Sequence, residues 1–107
     1  MEKTRAEILQ EMLAAKPEDT FTRYALAMEL AKSERPSEAW EHFDFLLKHH
    51  PQYSATYYQA GTFLLDQNRR EEARAVFRKG IEVTRQQGNQ HAQSELERAL
   101  EEMADEP

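Results

Sequence analysis

The chain has 107 residues, 39% hydrophobic and 32% charged, with a formal net charge of −6. It can build one globular core of ordinary size, and its acidity argues against a nucleic-acid partner. Cysteine is absent, which excludes disulfides, thiolate metal sites and thiol nucleophiles, and three glycines and four prolines are too few for a turn-rich sheet. No stretch approaches the roughly 18 apolar residues of a membrane span, and the opening MEKTRAEILQ lacks the apolar run of a signal peptide. The expectation is a cytoplasmic protein without a membrane partner.

In chain order, Ile8, Leu9, Met12 and Leu13, closed by Pro17, predict a helix within 3–17. Leu26, Ala27 and Leu30 form a second helical stripe, broken at Ser33 to Pro36. Ala39, Phe43, Leu46 and Leu47 form a third, with Pro36 in its first turn and Pro51 just past its end. Tyr57, Ala60, Gly61 and Leu64 predict a fourth helix, followed by a break at Gln67 to Arg70. There Asn68 suits a left-handed turn better than Glu34, its counterpart at the earlier break. Ala73, Phe77, Gly80 and Ile81 predict a fifth helix running to Gln87 and stopping at Gly88-Asn89. Ala92, Leu96, Ala99, Leu100 and Met103 stripe a sixth within 90–104, whose polar outer face suits a cap. From Glu95 to the end the chain carries six acids and one arginine.

These elements repeat at an offset of 34 residues. Leu9 maps to Phe43 and Phe77, Thr22 to Thr56, Tyr24 to Tyr58, Ala27 to Gly61, Leu30 to Leu64, and Ala39 to Ala73. The small residues let helices approach to about 8 Å rather than 10 Å, and the two phenylalanines fill the space between hairpins.

The pattern resembles the tetratricopeptide repeat family, in particular its short stand-alone bacterial members. Tyr57, Ala60-Gly61, Leu64, Ala73 and Phe77 stand at the signature positions of one repeat, and Leu26-Ala27, Leu30, Ala39, Phe43 and Pro51 at those of the other. Arg23 departs from it, standing where an aromatic belongs, and so does Arg85, where a closing proline belongs. The resemblance implies an all-α fold, a right-handed superhelix of antiparallel helix pairs (an α-solenoid) with about six helices. It would comprise an N-terminal half-repeat at 3–17, repeats at 20–53 and 54–87, and a capping helix at 90–104, all in a single domain 1–107.

In that family the first helix of each pair lines a concave groove. The matching residues are Phe21, Tyr24, Met28 and Lys32 in the first repeat, and Ala55, Tyr58, Gln59, Thr62, Leu65 and Asp66 in the second. Tyr57 and Tyr58 are neighbours about 100° apart on a helix, so one ring serves the core and the other is left for the groove. Tyrosine and methionine suit a surface that holds a peptide or helix of a partner protein. Packing on the N-terminal helix would account for Phe21 and Tyr24 equally. The family subset that grips carboxylate ends uses Lys, Asn and Asn where this chain has Tyr24, Met28 and Gln59, so that activity is not expected here.

Other chemistry finds little support. His42, His49 and His50 are too few for zinc without cysteine, and two of them sit at a helix end that suits them. Glu71-Glu72 and Glu101-Glu102 read as solvated faces, and no nucleophile motif or phosphate loop is present. The expectation is a protein-interaction module that is not an enzyme and needs no cofactor or metal. The alternative is a self-assembling scaffold unit, a homodimer for instance, pairing through Ile8, Met12 or Trp40.

Overall fold

The computed structural model describes residues 2–104; Asp105 and Glu106 of the acidic tail lie outside the described residues. Six helices follow in order, with no strand among the described residues: α1 (Arg5–Ala15), α2 (Thr20–Lys32), α3 (Pro36–His49), α4 (Ala55–Asp66), α5 (Arg70–Gln87) and α6 (Gln90–Ala104). The chain divides into two compact units, Met1–Tyr53 and Ser54–Pro107, at the boundary between the repeats.

In unit 1, Thr4 opens α1 with a capping box: its hydroxyl accepts from the Glu7 N–H at 3.1 Å and its own N–H donates to Glu7 at 3.0 Å. Ala6, Leu9 and Leu13 then face inward, and α1 packs on α2. Asp19 caps α2, accepting from the Thr22 hydroxyl at 2.9 Å. Glu34 ends that hairpin arm in the left-handed region, φ 58°, so that the Arg35 N–H reaches back to the Leu30 carbonyl at 3.1 Å. Pro36 starts α3, which packs Ala39, Phe43 and Leu46 against Leu26, Ala27 and Leu30 of α2, all essentially buried.

Arg23, the departure from the repeat signature, fills its place with its own contacts. Its guanidinium lies 3.8 Å over the Phe45 ring, donates to Nδ1 of His42 at 3.2 Å and donates to the Pro17 carbonyl at 3.0 Å. His49 and His50 also stack near Phe45, at ring distances of 4.4 and 6.0 Å.

Unit 2 repeats the hairpin. Asn68 takes the left-handed turn at φ 61°, and the Arg69 N–H returns to the Leu64 carbonyl at 2.8 Å. Arg69 grips Glu72 as Arg35 grips Glu38. α5 runs on to Gln87 and stops at Gly88, whose φ of 71° ends the helix, as expected without the proline. α4 packs on both α5 and α6, enclosing Tyr57, Ala60, Leu64, Ala73, Phe77 and Leu96. No described helix is long and apolar enough to cross a membrane.

Candidate functional site

In unit 1 the fold brings together four residues expected to bind a partner. Phe21, Tyr24, Met28 and Lys32 line one pocket of about 240 Å³, completed by Ala25, Glu29 and Arg5. Their spacing of three and four residues puts them on one side of α2, opposite Leu26, Ala27 and Leu30. Tyr24 is half-buried, its ring edge-on to Tyr53 at 5.6 Å, while Phe21 is 64% exposed. Tyr24 is therefore held in place rather than lost to the core.

Arg5, outside the expected set, also lines the pocket beside Tyr24 and Met28, with its side chain 68% exposed at the edge. It makes a 3.5 Å ion pair with Glu29, which Lys32 shares at 3.7 Å. The signal was present at the repeat offset, because Arg5 stands where Ala39 and Ala73 stand fully buried one and two periods later.

A second space of about 440 Å³ adjoins the first and shares Arg5, Phe21 and Ala25 with it. Its remaining walls are Ile8, Leu9, Met12 and Thr22. Ile8 and Met12 are 47% and 50% exposed, so Phe21 reaches the N-terminal helix without being covered by it.

In unit 2, Ala55, Tyr58, Gln59, Thr62, Leu65 and Asp66 share the outward side of α4, opposite buried Tyr57, Ala60, Gly61 and Leu64. Tyr58 is 41% exposed and its ring lies 6.5 Å from Phe77, so it rests one edge on the core. The paired tyrosines divide as expected: Tyr57 is core, and Tyr58 is surface anchored by core. Trp40 is half-buried on α3. Among the described residues no group of three or more His, Asp or Glu side chains converges to hold a metal ion.

Paired helices recurring every 34 residues, with small residues at the helix contacts and aromatics between them, define an all-α helical repeat protein. A sequence model of the tetratricopeptide repeat matches residues 30–95, and the chain belongs to that family. A tetratricopeptide repeat domain protein from Salinibacter ruber, solved in solution, is similar at 40% identity over 81% of this chain and 88% of that one, with a TM-score of 0.78. The crystal structure of a Salinibacter ruber tetratricopeptide repeat domain protein gives 40% identity over 79% and 94%, with a TM-score of 0.74. A solution structure of a Bordetella parapertussis protein is similar at 27% identity over 96% and 90%, with a TM-score of 0.82. No curated protein matches the sequence.

Proposed function

We propose that this chain is a non-catalytic interaction module that holds a peptide or helix of a partner protein, the outward face of α2 in unit 1 and that of α4 in unit 2 each offering a binding face. Tetratricopeptide repeats generally mediate protein–protein interaction, and that is the coarse ground for the reading. The observation that carries it further is the pocket in unit 1, where Phe21, Tyr24, Met28 and Lys32 converge. Tyr58, Gln59, Thr62, Leu65 and Asp66 offer a comparable face in unit 2. Both faces combine half-exposed aromatic or aliphatic surface with a charge at one end, which suits an apolar ligand anchored by a polar contact. We take the setting to be cytoplasmic.

Partners captured by the wild type and by Tyr24→Ala/Tyr58→Ala, after both are shown to fold equally, test the reading. Partners lost only with the double variant support it. Unchanged capture would move binding to another face.

A further inference from the structure

Two periods of the repeat carry α5 and α6 of unit 2 onto α1 and α2 of unit 1: Ala73 falls on Arg5, Val76 on Ile8, Gly80 on Met12 and Leu96 on Met28. In unit 2 the surface so defined is covered. α4 packs on both helices, and Tyr57 seats against Gly80 and Leu96. A Cβ on Gly80 would meet the Tyr57 Cβ at 2.5 Å and Leu96 Cδ1 at 2.9 Å. Among the described residues of unit 1 no helix takes α4's place, since α3 packs on α2. The equivalent surface is the trough formed by the two adjoining pockets.

We propose that this trough docks an amphipathic helix donated by another protein, laid antiparallel to α1 as α4 lies on α5. The proposal deepens the interaction-module reading and rests on it; what it adds is the α1 wall, Ile8 and Met12, and the chemistry of the occupant. From Phe21 to Lys32 the trough follows α2 for about 16 Å, or three helical turns. Met12 fills the space that Gly80 leaves for Tyr57, so the incoming helix must present a small residue there, within an otherwise apolar stripe. Arg5 stands where unit 2 has a fully buried alanine, and its guanidinium, 68% exposed at the edge of the trough, is placed to pair with an acid on the helix. Arg5 and Lys32 share the single carboxylate of Glu29, leaving the trough one positive charge in excess on a chain of net charge −6. The α6 of a second copy does not supply this helix: where α4 has Tyr57, Ala60, Gly61 and Leu64, α6 carries exposed His91, Ser94, Glu95 and Arg98, a polar stripe that does not match Ile8 and Met12.

A displayed library of amphipathic helices of about 14 residues, or 21 Å, is selected on the full chain. The expected sequences carry an apolar stripe interrupted by Gly, Ala or Ser, with Asp or Glu at one end. Ile8→Glu and Met12→Glu, both on half-exposed side chains, should each weaken the selected peptide by roughly tenfold or more. Arg5→Glu should weaken it similarly, and replacing the peptide's acid by lysine should restore binding to that variant. This charge exchange reads out even if the first two variants fold poorly. Binding indifferent to Ile8, Met12 and Arg5 but lost with Tyr24→Ala/Tyr58→Ala overturns the trough and leaves the module reading standing. Failure to enrich any helix, while partners are still captured through Tyr24 and Tyr58, overturns it likewise. A concentration-dependent dimer dissociated by Met12→Glu would give the trough to a second copy and also overturn it.

Discussion

Gly61 and Phe77 occupy one volume: a Cβ added to Gly61 would lie 2.7 Å from Cδ1 and Cζ of the Phe77 ring, and closer still to Cε1. Both residues are buried, and the ring belongs to a rigid side chain held on every side, so it cannot swing away. Gly61→Ala should therefore destabilise unit 2 by about 1–3 kcal/mol through overpacking. Phe77→Ala should destabilise it by about 3–5 kcal/mol through cavity formation. Pairing Gly61→Ala with Phe77→Leu should recover part of the first loss, because the smaller side chain vacates the contested space. Urea titration measures all three. A neutral Gly61→Ala would show that the ring is not seated against α4.

At the two hairpin turns, equivalent positions take the same left-handed conformation with different residues. Asn68, at φ 61°, tolerates it; Glu34, at φ 58°, has only the penalty of its Cβ. Glu34→Gly should stabilise unit 1 by about 0.5–1 kcal/mol, since the relieved strain outweighs the added backbone freedom of the unfolded chain. Asn68→Gly should change less. Thermal melts of the two variants rank them, and a destabilised Glu34→Gly would mean that this turn opens differently in solution.

Thr22 and Thr56 are a second unequal pair. Both hydroxyls are buried, but Thr22 donates to Asp19, whereas one period on Tyr53 replaces the aspartate and Thr56 Oγ1 has no partner among the described residues. A buried hydroxyl without a partner is a liability. Thr56→Val should be neutral or stabilising by up to about 1 kcal/mol, while Thr22→Val should lose about 0.5–1.5 kcal/mol. The opposite ranking by urea denaturation would place an ordered water on Thr56.

The repeat was legible because small and large apolar residues recur at one offset: Ala27 with Gly61, Phe43 with Phe77 and Leu30 with Leu64 each fix the same contact twice. Helix ends were legible where a residue has a conformational reason to be there, as at Pro36 and Gly88. What was not legible depended on long side chains reaching between elements. Nothing local to Arg23 says that its guanidinium replaces an aromatic by stacking on Phe45, and nothing local to Arg5 says that it enters the Tyr24 pocket. The open wall of α1 was half-readable. The stripe Ile8, Leu9, Met12 and Leu13 is wider than one partner helix requires, and α2 covers only its Leu9 and Leu13 side.

His42 links this packing to pH. Its Nδ1 accepts from Arg23 at 3.2 Å, so that nitrogen is unprotonated and the ring is neutral in this arrangement. Burial lowers its pKa below the ordinary 6.5, and the Arg23 charge lowers it further, only partly opposed by Glu41 and Glu38. The unfolded chain therefore takes up this proton at higher pH than the folded one. The stabilisation is complete above about pH 6.5 and is lost as pH falls through the window below it. Protonation would also remove the acceptor that positions Arg23 over Phe45, so the effect should be confined to unit 1. The urea midpoint of the wild type is expected to fall between about pH 7.5 and 5.5. Glutamine accepts a hydrogen bond from Arg23 without titrating, so His42→Gln should flatten that fall while leaving stability near neutrality almost unchanged. Parallel pH profiles for the two proteins would mean that Arg23 holds its place without the imidazole.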